Sequence, residues 1–175
     1  MKRLGFYLAA LVCGSAAAAC AIAVASASAN NDPHRFFLDS SPMDFPASFC
    51  GFPVHVEAVV NKEYAKVSQG ADGSTILKIT GSLFDRATNE DTGKSITFNA
   101  SGPVTLTFSP DGTTLTIQGR GLTGAFAPNL TEFGFPSNIV VFSGPALATV
   151  DLATGAVISL AGQPHVVLDV CAALS

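Results

Sequence analysis

Residues 95–108 form the clearest element of this chain. Ile96, Phe98, Ala100, Gly102, Val104, Leu106 and Phe108 fall on one side, and Ser95, Thr97, Asn99, Ser101, Pro103, Thr105 and Thr107 fall on the other. A period of two is the mark of a strand with one buried face and one solvated face. The phase runs unbroken through Ser101-Gly102-Pro103. A two-residue hairpin there would exchange the faces, so the pattern predicts one long bent strand, with a three-residue loop as the alternative.

The same alternation recurs along the chain. Phe52 to Val60 carries apolar residues at its even positions, and Thr75 to Thr80 alternates Leu77 and Ile79 with Lys78 and Thr80. Gly81 permits a bulge before Leu83 and Phe84 continue that run. Thr113 to Arg120, Ile139 to Phe142, Ala146 to Leu152, Ala156 to Leu160 and His165 to Val170 complete the set. Asp72-Gly73, Asn89 to Gly93, Pro110-Asp111-Gly112 and Asp151 to Gly155 supply the turns between them. No segment has a helical period. The expected fold is all-β: an antiparallel up-and-down barrel of about eight strands, with a β-sandwich as the alternative.

The cysteines bound the folded region. Lys2 and Arg3, an apolar run from Leu4 to Val12 and the small-x-small site Ala27-Ser28-Ala29 read as a secretory signal over residues 1–29. A transmembrane reading is opposed by that cleavage site. Lipidation at Cys20 is opposed by Ala17, which stands where a branched apolar residue is usual. The reading therefore predicts a secreted protein with no stable membrane span. Cys13 and Cys20 leave with the signal, so Cys50 and Cys171 remain to form a disulfide. Residues 30–48 read as an irregular N-terminal arm tethered by Phe36, Phe37 and Phe45, and residues 49–175 as a single β domain.

Charge narrows the partners. Seven basic residues face thirteen acidic ones after cleavage, a net charge of −6, and no basic cluster stands in the sequence. Nucleic acid is not expected as a partner. The absence of Trp and the presence of only two Tyr remove the aromatic surface usual in carbohydrate binders.

Two constellations stand out. His55 and Glu57 occupy the polar side of the first long strand, and His165 and Asp169 that of the last. If barrel closure pairs those strands, the four share one outer face, where they offer a weak candidate metal set; cross-strand charge pairing is the plainer reading. The connection from Leu122 to Asn138 is long and carries Phe126, Phe133 and Phe135, an apolar lid or partner surface unless they fold back into the barrel end. No Gly-x-Ser-x-Gly elbow occurs, and Asp85-Arg86 and Asn89-Glu90-Asp91 read as solvated turn charges. Asn99-Ala100-Ser101 and Asn129-Leu130-Thr131 match the glycosylation pattern by chance.

Cys-Gly-Phe-Pro-Val at 50–54, Asp-x-Cys-Ala-Ala-Leu at 169–174, Thr-Gly-Lys-Ser at 92–95 and Ser-Gly-Pro at 101–103 resemble motifs of a group of secreted β-rich proteins from high-GC Gram-positive bacteria. The resemblance implies a secreted β domain and carries no activity. The expected function is a secreted, non-enzymatic β-barrel that binds a small apolar ligand or a protein partner through the Phe-rich loop, without a cofactor. The alternatives are an isomerase or cyclase working in the barrel cavity and a structural envelope protein.

Overall fold

The computed structural model describes residues 35–175; the signal, its cleavage site and the first residues of the arm lie outside the described residues. In chain order the strands are β1 (Phe36–Phe37), β2 (Met43–Phe45), β3 (Val54–Asn61), β4 (Tyr64–Gln69), β5 (Thr75–Thr80), β6 (Leu83–Asn89) and β7 (Ser95–Asn99). They continue with β8 (Val104–Phe108), β9 (Thr114–Gly119), β10 (Thr123–Phe126), β11 (Ile139–Ser143), β12 (Ala146–Asp151), β13 (Val157–Gly162) and β14 (His165–Asp169). The chain ends in a short helix, α1 (Val170–Leu174).

All pairings are antiparallel, in a seven-stranded sheet β1-β4-β5-β8-β9-β12-β13, a four-stranded sheet β2-β3-β6-β7 and a three-stranded sheet β10-β11-β14. These sheets are parts of one meander. β3 and β4 are two residues apart yet lie in different sheets, and β5/β6, β7/β8, β9/β10, β11/β12 and β13/β14 do the same across short links. Six long strands therefore each bend once. At one end all six stand side by side in sequence order. At the other end the meander forks, the first three joining β2 and the last three forming the smaller sheet.

The bends are built as strands that switch sheets. The strand read over 95–108 is β7 plus β8, turning at 100–103. There the backbone of Gly102 lies so close to its neighbour that a Cβ would come within 2.1 Å of the Leu122 carbonyl oxygen. Gly81, at φ +150°, meets the Lys62 carbonyl in the same way, so the run expected to continue through it instead crosses from one sheet to another. The corners remain laddered, as in Lys62 N–H to Ser82 O and Arg120 N–H to Pro103 O.

One core fills the fork. Val54, Val56, Ala87 and Phe98 of the four-stranded sheet pack against Ile139 and Val141 of β11 and against Val170 and Leu174 of α1. The opposite face of β11, Val140 and Phe142, enters a second core with Leu130, Phe135, Ala146 and Val157. The continuous apolar run Ile139-Val140-Val141-Phe142 thus reads as a strand buried on both faces.

No sheet closes on itself among the described residues; β1 and β13 are the ends of the large sheet, and β14 pairs with β11 rather than with β3. Cys50 and Cys171 are bonded, with Cα atoms 5.1 Å apart. The half-cystine at 171 belongs to α1, not to the last strand. The helix starts there because the Asp169 carboxylate caps the Ala172 N–H. The bridge closes a 121-residue span and holds the helix in the fork.

Both segments expected to be irregular contain regular structure. Residues 122–138 contain β10 and a 3₁₀ turn, Leu130–Phe133. In the arm, β1 pairs with β4, β2 pairs with β3, and Phe45 is buried in the first core.

Candidate functional site

The seven-stranded sheet has two unlike faces, fixed by register. Ala65, Ile79, Val104, Leu106, Leu115, Ile117 and Val150 lie on one. Tyr64, Lys66, Lys78, Thr80, Thr105, Thr107, Thr116 and Gln118 lie on the other. The polar face carries a shallow groove of about 460 Å³, lined by Ile76, Lys78, Thr80, Thr105, Thr107, Gln118 and Arg120 among others. A second concavity of about 200 Å³ adjoins it across Gln118 and Arg120 and extends over Leu147 and Ala161. Together they cross β5, β8, β9, β12 and β13, about 19 Å at the usual strand spacing of ~4.8 Å.

Four of the basic residues gather at this face. Lys66 stands directly opposite Lys78 across β4 and β5, an arrangement of like charges that costs stability unless an anion relieves it. Arg35 reaches the groove wall by donating to Thr80 Oγ1 at 2.8 Å, and its guanidinium lies 5.2 Å from the centre of the Tyr64 ring. Phe37 meets Tyr64 edge-on, and both rings are exposed. Arg120 closes the row beyond Pro103.

Among the described residues, no carboxylate stands in these rows. Asp72 and Asp111 sit in turns at the opposite end of the sheet, and Asp151 closes β12 there, while Glu63, next to Tyr64, is buried. Hydrogen bonds from Ser74, from Ser109 and Thr113, and from Thr154 respectively hold each aspartate carboxyl below its ordinary value. The face is therefore charged positively at one end only. The sequence has no basic run, so this cluster is a product of folding.

The other candidate residues are dispersed. His55 Nδ1 lies 2.5 Å from Asp44 Oδ1, and Glu57 accepts from the Arg86 guanidinium. That pairing holds Glu57 below its ordinary value. Asp169 caps α1 and accepts from Ser137 Oγ at 2.7 Å. His165 stands exposed opposite Ser143 in another sheet. The structure thus does not bring His55 and Glu57 together with His165 and Asp169.

The phenylalanines of 122–138 point inward. Phe126 stacks on Phe45 against the first core, Phe135 is buried against Phe142, and Phe133 packs on the second core. Asn129 both donates to the Val157 carbonyl and accepts from its N–H, so the sequon side chain is occupied.

Asp85 differs from the expected turn charge. It lies inside β6, buried opposite Ala58 and Phe98, and burial pushes its carboxyl up to about 6. Glu63 is buried too; burial first, and then the charge of Asp85, raises its carboxyl. No family model, curated protein or solved structure matches the chain.

Proposed function

We propose that this protein is a secreted, non-enzymatic binding module whose seven-stranded sheet takes a linear acidic glycan along its polar face. The observation that carries the reading is the convergence of Arg35, Lys66, Lys78 and Arg120 beside a threonine- and glutamine-lined groove. Hydroxyl and amide groups suit sugar hydroxyls and the cations suit carboxylates or phosphates on the chain; the aromatic surface that the composition argued against is supplied in part by Phe37 of the arm, which folds edge-on against the exposed Tyr64 at the rim. A groove spanning five strands fits an oligomer better than a small molecule. The Phe-rich loop is not chosen as the binding surface because Phe126 and Phe135 already serve the cores.

An open sandwich goes with this reading better than a closed barrel: β11 is buried on both faces, and β1 and β13 remain separate edges. A disulfide, a terminal-motif resemblance to secreted proteins, and the lack of a helix long and apolar enough to cross a membrane among the described residues are consistent with work outside the cell.

Retention on immobilised polygalacturonate tests the proposal. The wild-type protein should bind at low salt and elute as sodium chloride rises, while neutral dextran retains nothing. Lys78→Glu/Arg120→Glu should flow through. Equal retention of that variant would remove the groove from consideration, and tighter capture by duplex DNA would replace the glycan with nucleic acid.

A further inference from the structure

We infer that Asp44, His55 and Glu90 form a binding site for a divalent first-row transition cation. One ligand atom from each of the three lies within 4.8 Å of the other two. Some point therefore lies within about 2.8 Å of all three, against the ~2.0–2.2 Å of zinc bonds to imidazole nitrogen and carboxylate oxygen. The shortfall is less than an ångström. All three side chains reach solvent, so small rotations close it.

The three residues come from different elements, each fixed in the backbone. Asp44 and His55 are directly opposed across β2 and β3. Glu90 opens the β6–β7 turn, where its N–H bonds the Pro53 carbonyl at 3.0 Å. Asn89 anchors that turn by accepting from Asp91 and Thr92 N–H groups and donating to the Leu174 carbonyl. The ligand frame is thus tied to both the sheet and the C-terminal helix.

Charge points the same way. Two carboxylates converge on one imidazole, and among the described residues no Lys or Arg pairs with either of them. Arg86 is committed to Glu57, and Lys94 reaches the Ser175 carbonyl at 2.5 Å. A divalent cation would satisfy both acids at once. One nitrogen and two oxygens suit Zn²⁺ or Mn²⁺ better than Ca²⁺, and they leave coordination positions for water or an outside ligand.

Isothermal titration of the full secreted chain with Zn²⁺ is the test, read beside the thermal midpoint with and without metal. One equivalent should bind, and the midpoint should rise with Zn²⁺ concentration. His55→Ala and Glu90→Gln should each weaken binding at least tenfold with metal-free midpoints near wild type, and His165→Ala should leave it unchanged. Absence of saturable binding at about 100 μM Zn²⁺ overturns the site. So does binding that survives His55→Ala and Glu90→Gln together, or that is lost on His165→Ala. The outcome is independent of polygalacturonate retention.

Discussion

The forked end and the seven-stranded end of this meander use the same six strands and are built differently. The largest fully buried side chains are Val54, Val56, Ile139, Val140, Val141, Val170 and Leu174, all from β3, β11 and α1. None comes from the strands of the large sheet, where every residue of β8 is only half-buried. The fork also holds the disulfide and the helix. The seven-stranded end carries the groove, the cations and a thinner cover over its apolar face. Stability is concentrated where the sheets diverge, and that leaves the broad sheet free to present a surface that would be costly in a core.

Removing the bridge should separate the two regions most. Chain-entropy arithmetic gives a loop of this span about 4–5 kcal/mol. Cys50→Ser/Cys171→Ser should therefore lose that order of stability in denaturant unfolding, with amide exchange rising first in α1 and β14. Protection lost first in β5 and β8 would reverse the comparison.

Truncation in the two cores gives the next largest effect. Ile139→Ala, at a fully buried position, should cost roughly 2–5 kcal/mol through lost transfer energy and a cavity. Leu106→Ala, half-buried on β8, should cost about 1–2 kcal/mol. Equal costs by urea titration would mean that the large sheet is as well covered as the fork.

Asp85 sharpens the same contrast with pH. Its folded-state carboxyl sits at about 6, above the ordinary 3.8, because of burial. The folded chain therefore holds a proton that the unfolded chain releases. That contribution to stability is complete below about pH 4 and is lost as pH rises through 6. Asp85→Asn should raise stability at pH 7 by on the order of 1–2 kcal/mol, less than full linkage gives because solvent screens part of the carboxylate, and should flatten the slope between pH 4 and 7. An unchanged slope would show that Asp85 is not buried at the fork.

Much of this fold could be read from the residues, and the limits have physical causes. The parity of 95–108 survives the corner because a bent strand keeps its faces, so Phe98 and Leu106 both point inward although they belong to different sheets. The fork itself left no trace, since alternation reports which side is buried and not which neighbour buries it. β4 was hidden because Tyr64-Ala65-Lys66-Val67-Ser68-Gln69 has only Ala65 and Val67 on its apolar side. The helix was too short to show a period. The basic face was missed for the same reason as β4: a turn centred on Asp72 sets Lys66 opposite Lys78, but only once residues 64–69 are taken as a strand. His55 was visible as a polar-face residue; its partners Asp44 and Glu90 were not, because one lay in an arm read as irregular and the other in a turn.

The most direct test of the division between anchored fork and open sheet is an ¹H–¹⁵N NMR titration of the protein with a galacturonate oligomer at low salt. Saturable shifts are expected, confined to Lys66, Lys78, Thr105, Gln118, Arg120 and their neighbours and fading as salt is raised, with Val54, Ile139 and Leu174 unmoved. Shifts centred on the fork, or none on β5 and β9, would contradict it.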